Sequence, residues 1–334
     1  MSIVYIRFAA HKPVELRRSR LLEGLLARAA RPVAVADWRA DAFRALTPEA
    51  PMPPVGAAAW RAAAPAPVEP DPAARNATGS AAAEEWAWVC VATPVHLSAG
   101  MTRVVLPRDG ILRLGAWEAD ALAADFNRVF GGDGVRMARG RAGVLLCAFD
   151  QIMDVDTYDP EAAAGQDVFG FQPSGPHAAR LRRLMSEIEM WLFGHEVNRS
   201  RQARAELPVT GLWLWGGGPT SAVMPVTRGW TAGNDPFFSA FDTEEGWPSG
   251  PGPGVIVCDA LPGSEEWAEI ERRWLKPAAD RLRSRGLLRL DLSAGARRIS
   301  IGTGAHWRIW RRPRPWWESF ELAGERDAAG GVTR

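Results

Sequence analysis

Leu181, Leu184, Met185, Ile188, Trp191, Leu192 and His195 recur at steps of three and four, and this spacing predicts a helix with one apolar stripe that carries a histidine at its end. Asn198, Arg199, Arg201 and Arg204 extend the pattern, and Pro208 stops it. Leu212 to Trp215 is an unbroken apolar run, the pattern of a strand buried on both faces in a parallel sheet, and Gly216, Gly217 and Gly218 follow as a loop at its carboxyl end. Open α/β sheets bind ligands at that end, and bare glycine N–H groups there can form an anion site.

The same periodicities predict the remaining elements. Ile3 to Phe8 alternates as a strand, and helices are expected over Val14 to Ala29 and Trp38 to Leu46. Trp86 to Leu97 and Met101 to Leu106 form a predicted hairpin. A helix is expected over Leu114 to Phe130, with Trp117, Leu122, Phe126, Val129 and Phe130 facing inward, followed by a strand pair over Val135 to Ala138 and Gly143 to Phe149. Val255 to Cys258 is a short strand, Ser264 caps a helix that Gly286 ends, and three further strands follow at Leu288 to Leu292, Arg297 to Ile301 and His306 to Trp310. Eight prolines between Pro48 and Pro72 exclude a central strand and a long helix there.

The resulting expectation is an α/β fold with a mixed, mainly parallel sheet, helices on both faces and a C-terminal antiparallel extension. Its division is an N-terminal segment 1–46, a Pro/Ala-rich linker or loop 47–83, a main domain 84–322 and a flexible tail 323–334.

Composition narrows the chemistry. With 40 Lys plus Arg against 39 Asp plus Glu in 334 residues, nothing global points to nucleic acid or to an anionic membrane. Lys12 and Lys276 are the only lysines, and neither lies in a recognisable covalent site. Cys90, Cys147 and Cys258 lack metal spacing and read as buried thiols of a reducing compartment. No run approaches the ~18 apolar residues of a membrane span, so a cytoplasmic protein without membrane attachment is expected.

His195-Glu196-Val197-Asn198 with Arg199, followed by Leu212 to Gly218, resembles the HPVN…R…LWLWG-x-G stretch of bacterial RpfE-type regulatory proteins. Thr93-Pro94-Val95-His96-Leu97 is similar to the family's DPVHL, and Trp307 to Pro315 also fits. Glu196, Thr210 and Thr93 depart from the pattern, where it has Pro, Asn and Asp. The central stretch is also similar to archaeal cofactor-independent phosphoglycerate mutases. That likeness would imply two divalent metal ions held by Asp and His and a Ser or Thr nucleophile. The first strand lacks the expected acid, and the histidines show no paired metal spacing.

The resemblance therefore implies a regulatory or accessory protein without a complete catalytic set and without a cofactor. Its expected crevice for a small, phosphate-bearing molecule is built from His195, Asn198, Arg199, Gly216, Gly217 and Gly218. The alternative for His195 is a core histidine with a local partner. A divergent mutase-like phosphotransferase using a divalent metal is one alternative function. Another is a single-stranded nucleic-acid accessory protein in which Arg308, Trp310, Arg311, Arg312 and Arg314 pair phosphates and stack bases. Asp150, Asp154, Asp156 and Asp159 lack the glycine and terminal Glu of a calcium loop and read as a solvated turn.

Overall fold

A computed structural model describes residues 2–9, 17–63, 86–241, 246–248, 252–307 and 311–320. The chain divides into two compact units: Met1–Met52 with Pro225–Arg334, and Pro53–Met224. The fold is mixed α/β.

The chain opens with strand β1 (Ser2–Arg7), helix α1 (Arg20–Arg28), strand β2 (Val33–Ala34) and helix α2 (Trp38–Leu46). Ser19 starts α1 by accepting the Leu22 N–H, and Asp37 does the same for α2 through Ala40. The helix expected from Val14 thus begins at Arg20, because Ser19 takes the capping conformation; its first residues as predicted lie outside the described ones.

The second unit begins with helix α3 (Val55–Ala63), which falls inside the proline-rich stretch. Pro53 and Pro54 sit just before the helix, where a missing N–H costs nothing, and no proline falls inside it. Strand β3 (Trp88–Val95) is followed by the small hairpin β4 (Ser98–Ala99) and β5 (Val104–Leu106). Helix α4 (Ala116–Phe130) buries Leu122, Phe126 and Phe130, but Trp117 and Val129 face water at 52% and 51% exposure. Strands β6 (Val135–Arg139) and β7 (Leu145–Phe149) form the expected pair, antiparallel. The one-turn helix α5 (Pro160–Ala163) and strand β8 (Gln166–Asp167) lead to helix α6 (Ala178–Phe193), helix α7 (Glu196–Ala203) and strand β9 (Gly211–Pro219).

Strand β9 pairs antiparallel with β3, in a sheet of order β6-β7-β3-β9, so the expected parallel partner is corrected here. The apolar run has another cause. Leu212 and Leu214 pack in the core formed with α4 and α6, while α3 also packs on the strand. Two-sided burial makes a strand apolar whichever way its neighbour runs.

The first unit resumes with strand β10 (Trp230–Gly233), strand β11 (Gly254–Val257), helix α8 (Glu265–Ile270), a π-helical turn over Glu271–Leu275, helix α9 (Lys276–Arg283), strands β12 (Leu287–Ala294) and β13 (Arg297–Gly302), a 3-10 segment Thr303–Trp307 and helix α10 (Trp316–Ser319). Its sheet has the order β10-β11-β1-β12-β13-β2, with β10, β11, β1 and β12 parallel and β13 and β2 antiparallel. This is the mainly parallel sheet with an antiparallel extension.

Val4, Ile6 and Phe8 point from β1 into a core with Leu22 of α1, Trp267 of α8 and Leu282 of α9. Arg7 points to the opposite face, where its guanidinium lies 4.5 Å from the Trp38 ring of α2. Helices therefore cover both faces of this sheet. Where a last strand was expected from His306, the chain forms the 3-10 segment; residues 308–310 and the tail from 321 lie outside the described ones. Among the described residues, no helix is long and apolar enough to cross a membrane.

Candidate functional site

The predicted crevice separates into two structural joints within the second unit. Gly194 breaks the expected single helix, and His195 becomes the N-cap of α7. Its Nδ1 accepts the Val197 N–H at 3.1 Å, which places the imidazole proton on Nε2. Nε2 lies 3.1 Å from Asp125 Oδ2 but off the line of a proper hydrogen bond, so the contact is chiefly electrostatic. Burial lowers the His195 pKa below its ordinary value, and the Asp125 carboxylate only partly offsets this.

Asn198 has its amide fully engaged. Nδ2 donates to Leu192 O and Val209 O, each at 2.8 Å, and Oδ1 accepts the Val209 N–H at 2.8 Å. It thereby ties the end of α6 to the approach to β9. Arg199 donates to the Gly194 carbonyl at 3.0 Å from an exposed position. Arg201, buried nearby, pairs with the equally buried Glu118 at 3.0 Å.

The triglycine belongs to β9 and is not a loop. From Val209, bonded to Asn198, to Gly216 an extended chain rises roughly 23 Å at about 3.3 Å per residue, so His195 and Asn198 stand at one end of the strand and the glycines at the other. Val89 pairs with Gly218 and Val91 with Trp215, so Gly216 and Gly217 bulge opposite Cys90, and Gly216 has a φ of 65°.

The Gly216 N–H donates to Thr157 Oγ1 at 3.0 Å. A Cβ on Gly217 would lie 1.9 Å from the Trp88 ring, one on Gly218 2.3 Å from Pro54, and one on Gly216 2.9 Å from Val55. These residues are glycine because an indole and the start of α3 occupy the side-chain space. Thr93, which stands where the RpfE-type pattern has Asp, accepts from Trp215 Nε1 at 2.8 Å, and His96 Nδ1 contacts Pro208 O at 3.0 Å.

Of the C-terminal arginine and tryptophan candidates, Arg308 and Trp310 lie outside the described residues. Arg311, Arg312 and Arg314 are exposed, and Arg311 also donates to Ala29 O at 2.9 Å. Trp316 is buried in the core against Phe8, with ring centroids 6.1 Å apart.

A metal pair of the mutase kind needs an acid at the carboxyl end of the first strand. Phe8 stands there, fully buried, and its ring is 5.4 Å from Trp267 and 5.3 Å from Phe320. Among the described residues, no three His, Cys, Asp or Glu side chains are grouped to hold an ion. The donor set does not fit that chemistry.

On the opposite face of the same sheet, polar groups are buried in pairs. Arg39 binds Asp235 at 2.8 Å, Arg298 binds Asp41 at 2.9 Å, and Arg7 donates to Gly295 O at 2.6 Å. Tyr5 is fully buried beside them. Ser293 lies near its hydroxyl, yet no hydrogen bond of proper geometry forms. Burial pushes the Tyr5 pKa to about 12. A phenol so held supplies no base at neutral pH.

The same unit holds a cavity of about 250 Å³ between α1, α9 and the chain from Ile301 to Ala305. Arg20, Gly24 and Arg28 line it at i, i+4 and i+8 on α1, with Leu21 and Leu25 in the adjacent row. Ala279, Leu282 and Arg283 face it from α9, and Ile301, Gly302, Thr303 and Ala305 close it. Nothing lies within 4 Å of a Cβ built on Gly24 or Gly302. Among the described residues, three arginines and no acid, histidine or cysteine line the cavity. A glycine inside a helix reads as a propensity defect of about 1 kcal/mol and does not by itself mark a pocket. The available signal was the repeat of Arg, Gly and Arg at four-residue spacing beside paired leucines.

No protein-family model and no curated protein matches this chain. Among solved structures, it is similar to the cofactor-independent phosphoglycerate mutase from Thermoplasma acidophilum DSM 1728, at 14% identity and a TM-score of 0.35 over 90% of this chain and 89% of that one. It is also similar to the PH0037 protein from Pyrococcus horikoshii, at 11% identity and a TM-score of 0.36 over 90% of this chain and 87% of that one. Likeness this distant assigns no residue and no reaction.

Proposed function

We propose that this chain is an RpfE-type accessory protein that binds a small anionic molecule without transforming it, and that the ligand enters the cavity of the first unit and not a crevice at Gly216 to Gly218. The observation that carries this reading is the lining: Arg20, Arg28 and Arg283 supply positive charge, while among the described residues no acid, histidine or cysteine lines it to act as a base. Arginine suits such a role because its fork of donors matches a carboxylate or phosphate and keeps its charge at any physiological pH.

A thermal-shift screen of the full chain against small organic anions, divalent metals and single-stranded oligonucleotides tests it. A ligand bound only by the folded state stabilises by about 2.7 kcal/mol at one hundred times its Kd. Small anions are expected to raise Tm, and the gain should fall in Arg20→Gln/Arg283→Gln. Stabilisation by Mn²⁺ with turnover of 3-phosphoglycerate would overturn the reading in favour of a phosphotransferase. Salt-sensitive stabilisation by oligonucleotides alone would favour the nucleic-acid role.

A further inference from the structure

Resting on the binding role proposed above, we infer the ligand's class: an oxyanion head, carboxylate or phosphate monoester, on a compact apolar body the size of one ring or a short alkyl chain, lying against the bare backbone of Gly24. The arginines stand at the solvent edge. Arg20 and Arg283 are exposed, and Arg283 keeps its surface pairing with Asp280. Arg20 and Arg28 bracket the cavity from the first and last positions of α1, roughly 12 Å apart along the axis at about 1.5 Å per residue. Between them Gly24 leaves bare backbone, so positive charge stands at the mouth while no side chain at that position of α1 fills the space beneath.

The interior has the opposite character. Leu21, Leu25, Leu282 and Ile301 form its walls, with Ala279 and Ala305. Among the described residues, Thr303 is the only polar side chain of the lining apart from the arginines. A sugar phosphate would bury hydroxyls that this lining cannot pair, at a cost of about 1–3 kcal/mol for each. An alkyl chain or aromatic ring loses nothing on entry and gains by burial.

Size follows from volume. An apolar cavity of about 150 Å³ holds benzene, and pockets for drug-sized ligands start near 300 Å³. At about 250 Å³ the pocket has room for one ring or roughly a six-carbon chain, and a longer chain would leave its remainder in water. Gly24 and Gly302 both line it, and a Cβ built on either would meet no atom within 4 Å.

The test uses the full-length protein in thermal shift and isothermal titration. The panel is hexanoate, benzoate, hexyl phosphate and phenyl phosphate, with hexanamide, benzamide, inorganic phosphate, glucose 6-phosphate and palmitate as comparators. Amphipathic anions of the first set are expected to bind at least tenfold more tightly than their amides and than the other comparators; the carboxylate and phosphate arms identify which head the arginines prefer. Gly24→Leu is expected to raise the unliganded Tm by about 2 °C, since leucine is the better helix former and fills the gap. The same variant should abolish binding of the whole first set, so loss of binding with a raised Tm cannot be ascribed to misfolding.

Equal binding of amides and anions, or tightest binding by inorganic phosphate or glucose 6-phosphate, overturns the ligand class while the binding role stands. No binding by any member of the panel, together with unchanged titration in Gly24→Leu, overturns both.

Discussion

Two groups of glycines invite the same reading and differ in what surrounds them. At Gly216 to Gly218 the space for a side chain is taken by Trp88, Pro54 and Val55, whereas at Gly24 and Gly302 nothing lies within 4 Å. A glycine that yields its side-chain volume to a neighbour is part of the packing; one that leaves the volume open makes room for something else. The conspicuous triglycine is the first kind, and the inconspicuous helix glycine is the second.

The contrast breaks most sharply at Gly217. Gly217→Ala puts a methyl group 1.9 Å from the Trp88 ring in the core, and is expected to destabilise the chain by about 3 kcal/mol or to prevent folding, as read from the urea midpoint. A tolerated alanine would mean that the indole is free to leave and that the strand can open a pocket. Next in size is Asn198→Ala, which leaves the Val209 N–H and two carbonyls without their partner. A loss of about 2–3 kcal/mol is expected, with no effect on anion binding in the cavity of the first unit. Loss of binding without loss of stability would return Asn198 to the ligand site.

Gly24→Ala reverses the sign. It should stabilise by about 1 kcal/mol through helix propensity alone, since no neighbour is displaced. The smallest effect concerns His195. Its pKa is lowered in the folded chain, because the imidazole is buried and its Nδ1 already accepts a hydrogen bond, whereas the unfolded chain titrates near the ordinary value of about 6.5. The unfolded state then binds more protons between the two values, so the contribution is complete above about pH 6.5 and is lost as pH falls through the folded value. Glu189, whose pKa burial raises, acts in the opposite direction. The comparison is therefore wild type against His195→Asn, a cap that does not titrate: the stability difference should change between pH 7.5 and pH 5, and a constant difference would remove His195 from the pH response.

Much of the architecture was legible where a local signal sufficed. Asp37 caps the helix Trp38–Leu46 at the predicted limits, and the strand pair expected over Val135 to Phe149 forms, antiparallel. Strand direction was not legible at Leu212 to Trp215, because burial on both faces produces the same apolar run in either sheet type. The helix break at Gly194 was hidden because Ile188, Leu192 and His195 keep their spacing across it; the change of axis shows only in the hydrogen bond from Val197 to the histidine ring. The candidate crevice mistook one strand's two ends for one place. The cavity escaped because it is assembled from three segments, 20–28, 279–283 and 301–305, none of which carries a motif alone.

The position of β1 has a consequence for synthesis. This strand is made about 250 residues or more before either of its neighbours: Val4 pairs with Gly254 on one side and with Leu290 on the other. At translation rates of about 5–20 residues per second, roughly 12 to 50 s pass before those edges meet their partners. The contiguous unit Pro53–Met224 emerges whole in that interval. A nascent chain thus carries the strand Ile3 to Phe8 with both hydrogen-bonding edges open for that interval.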